Sequence, residues 1–508
     1  MVRSGSAGGR AAGSRMVAAG ALPALLIAAA VGLSCVTNPA TGRSQLVFYS
    51  VSDEIRIGRR EDPRIRSEYG VYADRDLGEW FSTLSRTIAD ASDRPDYDYR
   101  FAVLDSPVVN AFALPGGPVY ATRGLLAYAG DEAEVAGVMG HEIGHVNARH
   151  GVEQMSRQQL LGGVLGVASL LSPRARRAAD LLDTAAGLLL LRYSRANERE
   201  ADALGVRYAF RAGYDPLGVP RFLGVLDRIS SRSGQTLPVW LSTHPDPGER
   251  SRRARELAAP MVAEARAAGR KLAVGRQALR GRLEGLVWGD DPRQGFVLAG
   301  AFRHPILRFR IDVPSGWHVS NTPRRVIVYD APQKTTAILE LRLAAPGPDG
   351  TVLTPEQHAR RFLGTAEVLS LEGGVETIHG LKAWIGVARV SDGQGASFPL
   401  LIAFIAHRGN VYRLTGRWAP SLPERQALLA RTIRSFREEQ DPQVLTVRPV
   451  VLHIEDVAAG TPIASLCARR DLAVDCPTLR LLNRLPEGAT VGTTDWVRLP
   501  VRRSPIFP

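Results

Sequence analysis

From Asp131 to about Gln154 apolar residues recur at helical spacing, and on this stretch His141 and His145 stand four residues apart with Glu142 beside the first. No other feature constrains the chain as much. On a helix, positions i and i+4 lie one turn apart on the same face, so both imidazoles can reach one ion. Glu142 then projects beside them, placed to take a proton from a metal-bound water. Upstream, Ala133, Val135, Ala136 and Met139 have the spacing needed to bury such a helix.

A third ligand is expected downstream, also on a helix. The segment YSRANEREADALGVRYAF begins at Tyr193, and in it Glu198 and Asp202 are four apart and share a face. Zinc accepts a carboxylate beside two histidines and keeps one position for water, which suits Glu198. Asp202 is placed to accept the other ring N–H of His141 and fix its tautomer. Glu200 falls on another face and reads as solvated. Ala201, Leu204, Gly205, Tyr208 and Ala209 require this helix to pack against something.

The N-terminus reads as an export segment. Arg3, Arg10 and Arg15 precede an uncharged run over residues 16–34. The junction Gly32-Leu33-Ser34-Cys35 resembles a bacterial lipobox, which implies cleavage and lipidation at Cys35, with residues 35–44 as a lipidated linker. A plain signal peptide or a retained anchor is the competing reading. Residue 36 is Val rather than Asp, which by the same resemblance directs a lipoprotein to an outer membrane. Loss of residues 1–34 lowers the formal charge from +13 to +10. Cys467 and Cys476, nine apart, then remain as a candidate disulfide or as two buried thiols. Of the 64 basic residues only Lys271, Lys334 and Lys382 are lysine. Arginine spread that evenly argues for compositional bias and against a nucleic-acid footprint.

At 508 residues the chain is too long for one ordinary domain. Residues 45–285 are helix-rich, with strands at 99–105 and 117–121 and helices at 131–154, 173–193, 196–211, 218–230 and 248–269. Within this region Leu160–Leu171 and Ala185–Leu191 form a candidate helical hairpin, either core or a flap over a cleft. Residues 300–440 read as a smaller α+β domain. It has strands at 381–388, 399–406 and 410–417 and helices at Pro355–Leu363 and Pro423–Glu438. His304, His318 and Trp317 there read as isolated polar and packing residues. Residues 441–508 fit a small βααβ module. No repeat of 20–50 residues is visible.

Five signatures occur in order: Asn38-Pro39-Ala40-Thr41-Gly42-Arg43; Asn110-Ala111-Phe112-Ala113-Leu114-Pro115-Gly116-Gly117; His141–His145 within GHEIGHVNARHG; Glu198 with Asp202; and Thr243-His244-Pro245 with Arg250 beyond. Together they resemble the M48 family of zinc metallopeptidases in its exported bacterial branch, over about residues 36–270. The resemblance implies a zincin-like fold for 45–285 and one zinc per chain held by His141, His145 and Glu198, with Glu142 as general base. Asp202 supports the first ligand. His244 either assists an oxyanion or blocks the metal as a fourth ligand. Arg250 pairs with acids that hold the His244 loop, and its competing reading is a solvated Arg in ERSRRARE. Asn110, Ala111, Phe112 and Ala113 match an edge strand that takes an extended peptide, although some of these side chains read as core. His150 reads as structural.

The tail resembles a degenerate LysM module, which implies contact with peptidoglycan; its turn is Gly460-Thr461 without the usual Asp. The implied activity is endopeptidase action on unfolded or misassembled envelope proteins, from the periplasmic side of a bacterial envelope. The alternatives are a latched or non-catalytic chaperone or scaffold using the same cleft, and a wall-anchoring protein led by residues 441–508.

Overall fold

The computed structural model describes residues 35–38, 40–169, 193–232, 243–331, 335–347, 349–365, 367–391, 397–492 and 496–502. The export segment at 1–34 and most of the hairpin and helix read at 160–193 lie outside the described residues. Among those described, no helix is long and apolar enough to cross a membrane.

The helix-rich half begins with a short antiparallel pair, β1 (Cys35–Thr37) and β2 (Ser44–Leu46). Helix α1 (Val51–Tyr69) starts at a capping box, in which Ser50 and Asp53 each bond the other's backbone N–H. Helix α2 (Arg75–Asp90) buries Leu77, Phe81, Leu84 and Ile88 at helical spacing. A three-stranded sheet follows, in the order β3 (Arg100–Leu104), β5 (Pro118–Thr122), β4 (Ala111–Ala113). β3 runs parallel to β5 and β4 antiparallel to it, so β4 is an edge. Helix α3 (Arg123–Tyr128) leads to α4 (Glu132–Asn147), which is capped by the Asp131 side chain.

Every residue of α4 from Ala133 to Asn147 is buried, so this helix is the axis of the domain. Helices α6 (Arg195–Arg211), α7 (Gly218–Arg232) and α8 (Pro247–Ala267) pack around it. The crossing of α4 and α6 is a backbone contact. A Cβ on Gly140 would lie 2.9 Å from the Gly205 carbonyl oxygen, and one on Gly205 would lie 2.9 Å from the His141 nitrogen. Glu198, Asp202 and Gly205 follow at i, i+4 and i+7, so this close approach carries both acids to the histidine face.

The single helix expected from Asp131 to about Gln154 is two. It stops at Ala148, and α5 (His150–Ser169) starts after Arg149, whose φ is 58°. The reason is a buried ion pair. Arg149 Nε donates to Glu54 Oε1 at 2.6 Å and Nη2 to the Tyr49 carbonyl at 2.6 Å, which holds the left-handed turn. The turn swings His150 back towards His145.

The next region is a seven-stranded antiparallel sheet, ordered β12 (Val368–Ile378), β13 (Leu381–Ser391), β14 (Ser397–His407), β15 (Asn410–Trp418), β11 (Ala337–Leu343), β10 (Arg325–Tyr329), β9 (His318–Thr322). Alternate residues face opposite sides. Trp384, Leu400, Ile402 and Phe404 pack under α10 (Pro355–Leu363), and Ile385, Leu401, Ala403 and Ile405 share a core with α11 (Glu424–Arg434). The helix expected to run to Glu438 ends at Arg434, because Arg437 and Glu438 pair with β8 (Phe309–Asp312). They complete a four-stranded sheet with β7 (Ala301–His304) and β6 (Phe296–Leu298). Trp317 packs against this core.

The tail runs β17 (Val450–Asp456), α12 (Ile463–Cys467), α13 (Cys476–Asn483), β18 (Trp496–Arg502), with β17 and β18 paired antiparallel and Cys467 bonded to Cys476. It is fastened to the metal-helix domain. Leu452, Ile454, Leu482 and Trp496 join the core around α4. Arg484 pairs with the fully buried Glu134 in the first turn of α4. Arg498 donates to the Ala127 and Ala129 carbonyls at 3.2 and 2.6 Å.

Replacing Gly205 by Ala should force α4 and α6 apart and destabilise the protein by about 1–3 kcal/mol. Thermal unfolding and zinc content measured together check this, with both expected to fall.

Candidate metal centre

His141, His145, Glu198 and His244 each offer one donor atom, and these four atoms lie within 4.8 Å of one another in a buried cluster. Two come from one face of α4 and one from the first turn of α6, where Ser194 and Asn197 form a capping box. The fourth comes from the loop before α8. Asp246 there has a φ of 58°, which turns the chain abruptly into the helix.

The separations are those of a small polyhedron. His141 Nε2 is 3.0 Å from His145 Nε2 and 3.4 Å from His244 Nδ1. Glu198 Oε1 is 2.8 Å from His244 Nδ1 and 3.4 Å from His145 Nε2. Zinc bonds of about 2.0–2.2 Å place tetrahedral donors about 3.3–3.6 Å apart. Three imidazole nitrogens and a carboxylate oxygen, all out of bulk water, therefore suit one zinc ion. One buried oxygen supports the fit independently: Glu142 Oε1, beside the cluster, has no hydrogen-bond partner among the described residues and lies 3.9 Å from His244 Nε2.

Arg250 supplies the compensating charge. Its Nε and Nη2 donate to the two oxygens of Asp202 at 2.8 and 2.7 Å, and its Nη1 lies 2.7 Å from Glu198 Oε2. Asp202 Oδ1 in turn is 2.9 Å from His141 Nδ1, which points His141 Nε2 at the cluster. Thus one arginine, 3 % exposed, holds both acids and reaches the metal ligand through one of them.

The protonation equilibria follow from this packing. Burial would raise Glu198, but His244 and Arg250 outweigh it and hold the carboxyl well below its usual range. Burial likewise opposes the ionisation of Asp202, and Arg250 with His141 overcomes it and lowers that pKa. Glu142 has no such arginine contact, and burial raises its carboxyl against the pull of His244 and His141. Burial presses His145 well below the ordinary imidazole value, whereas in His141 the hydrogen bond donated to Asp202 outweighs burial and raises the imidazole.

The structure brings His141, Glu142, His145, Glu198, Asp202, His244 and Arg250 into one buried cluster. Of Asn110 to Ala113, Ala113 lines a cavity shared with His145. A narrow cavity lined by Ala113, Leu114, Pro115, His145, Arg149 and Tyr193 links the edge strand to the cluster. The Phe112 ring is not in that cavity's wall. It packs on Tyr120 and Tyr69, with ring centroids 5.0 and 6.1 Å away. Asn110 and Leu114 make the backbone bonds to β5, so by strand alternation Ala111 and Ala113 turn their backbone groups away from β5; Ala111 is fully buried and Ala113 half-buried.

Glu200 is not solvated, contrary to its place on the helical wheel: its side chain is 11 % exposed, because the loop at Asn38 covers that face of α6. Tyr193, not singled out from the sequence, stacks on His145 with ring centroids 4.0 Å apart. Burial raises its phenol, which keeps it a neutral donor. His304 and His318 stay apart from any cluster; they pack on Phe309 and Tyr329.

Residues 77–258 match Peptidase family M48. The matched segment is the one that carries the cluster. Among known proteins, the chain is 32% identical to the beta-barrel assembly-enhancing protease of Escherichia coli (strain K12) over 253 residues, 47% of this chain and 51% of that protein. It is 32% identical to the protein of the same name in Yersinia pestis over 232 residues, 44% and 47% of the two chains. It is 34% identical to the mitochondrial metalloendopeptidase OMA1 of Arabidopsis thaliana over 201 residues, 39% of each. The chain spans about half the length of the first two relatives.

Removing Arg250 would leave two buried carboxylates without their counter-ion. Arg250→Met should cost the metal-free protein about 3–5 kcal/mol, read from urea unfolding. A change below about 1 kcal/mol would contradict the counter-ion role.

Proposed function

We propose that this protein is a zinc-dependent endopeptidase that cuts unfolded or misassembled proteins of a bacterial envelope, working on the periplasmic side. The observation that carries this reading is the buried set His141, His145, Glu198 and His244 with the unpartnered Glu142 oxygen beside it. The names of the relatives in Escherichia coli and Yersinia pestis support the substrate class.

His141, His145 and Glu198 would hold the ion. Bound there, zinc polarises a carbonyl and lowers the pKa of water. The chain's own groups do the rest. The half-buried edge at Ala113, which lines the cavity at His145, takes an extended peptide as an added strand, so recognition rests on main chain and asks little of sequence. Glu142 accepts a proton at Oε1 from the attacking water and passes it to the leaving amine. Its burial and raised pKa suit a group that must both take and give. Asp202, clamped by Arg250, keeps the His141 proton on Nδ1 and the lone pair on Nε2.

His244 has the role of a latch. Its Nδ1 lies within the donor set, where it fills the position that water needs. This arrangement favours a resting, closed state and gives the chaperone-like reading a physical form: bound chains would be held until His244 moves. Beyond the peptidase chemistry, we infer lipidation at Cys35, supported by the lipobox-like junction, and contact of the tail with peptidoglycan, supported by its β-α-α-β order.

Glu142→Gln should keep one zinc per chain and abolish cleavage of an unfolded model protein; retained turnover would refute the proton-transfer role. His244→Ala should raise turnover several-fold if the histidine is a latch. A fall would instead assign it to the oxyanion, and no change would remove it from both roles.

A further inference from the structure

The two metal-facing imidazoles of α4 are supported differently. His141 has Asp202. Among the described residues no carboxylate lies within reach of His145 Nδ1; that nitrogen lies 2.8 Å from Nδ1 of His150. His150, 1 % exposed, has its Nε2 3.5 Å from Glu200 Oε2, where the attraction is chiefly coulombic. Glu200 Oε1 accepts from Asn38 Nδ2 at 3.3 Å. Asn38, 2 % exposed, also donates to the carbonyl of Ala148, the residue that ends α4, at 3.1 Å. Its own loop is closed by Asn38 N to Arg43 O at 2.7 Å and Gly42 N to Asn38 O at 2.8 Å.

If His145 is neutral and binds the ion through Nε2, proton placement along this series follows. A neutral imidazole carries one N–H and one lone pair. Nε2 of His145 is among the cluster atoms, so its lone pair faces the ion and its proton sits on Nδ1. Among the described residues that proton can be donated only to His150 Nδ1, which must then present its lone pair. The His150 proton is therefore on Nε2, the nitrogen that faces Glu200. A carboxylate there favours this tautomer and no other, and Asn38 holds the carboxylate in place.

We propose that His150 and Glu200, held by Asn38, are positioning residues that fix the tautomer and ring orientation of His145, by relay what Asp202 does for His141 directly. The proposal rests on the zinc-centre reading. Asn38, three residues beyond Cys35, thereby acquires a structural role at the metal centre.

The test uses the purified full chain and four variants, His150→Ala, His150→Asn, Glu200→Gln and Asn38→Leu. Zinc dissociation constants come from competition with a chromogenic chelator, and the stability of each metal-free form from urea unfolding. The unmutated chain should bind one zinc. His150→Ala should raise the dissociation constant about 10–100-fold, with Glu200→Gln and Asn38→Leu smaller in the same direction. His150→Asn should recover much of the affinity, because its amide oxygen can still accept from His145 Nδ1. Two results would overturn the proposal: zinc held as tightly by every variant as by the unmutated chain, or equal losses for Ala and Asn at 150 that track metal-free stability. Failure of the unmutated chain to bind zinc would overturn the metal-centre reading, and the relay with it.

Discussion

A Cβ on Gly205 would stand 2.9 Å from the backbone nitrogen of His141, and this clearance measures how closely the two helices of the centre run. With side chains between them, α4 and α6 would sit at an ordinary helix–helix spacing of about 8–10 Å, and the carboxylates of α6 would fall short of the imidazoles. The contact of the two backbones is what lets Glu198 and Asp202 meet His141 and His145. The remaining architecture protects that crossing. The three-stranded sheet and α2, α7 and α8 pack against the same core, and the C-terminal β-α-α-β unit adds Leu482 and Trp496 to it.

Such a crossing buries charge, and burial must be offset by specific partners. Arg250 provides most of the compensation, since it reaches both Asp202 and Glu198 from α8. The cluster is thereby organised before any ion arrives. His141 is aimed by Asp202 and His145 by His150, and Glu142 is left with an oxygen that no hydrogen bond from the described residues engages. At the other end of α4, Glu134 pairs with Arg484 of the C-terminal unit. The helix that carries the metal ligands is thus pinned at both ends by chain segments distant in sequence.

Much of this is legible in the sequence because the site is periodic. His141 and His145, and Glu198 and Asp202, are spaced by one helical turn, and that spacing alone places each pair on a face. What the sequence hides is non-periodic or long-range. Arg149 adopts a left-handed turn without a glycine or proline to mark it, so one helix is expected where there are two. Glu200 lies on a face that would be wet in an isolated helix; a loop 162 residues away covers it. In the sheet, β12 escapes notice because it is an edge strand with two adjacent glycines and mostly exposed side chains. His150 reads as structural since its spacing from His145, five residues, fits no common helical face; the turn at Arg149 creates the contact.

Whether the four donors form one zinc site closed by His244 is decided most directly by crystals of the zinc-loaded full chain, measured on either side of the zinc absorption edge. A single anomalous peak is expected within bonding distance, about 2.0–2.2 Å, of His141, His145, Glu198 and His244. No peak at this cluster, or a zinc bound by other residues of the chain, would contradict it.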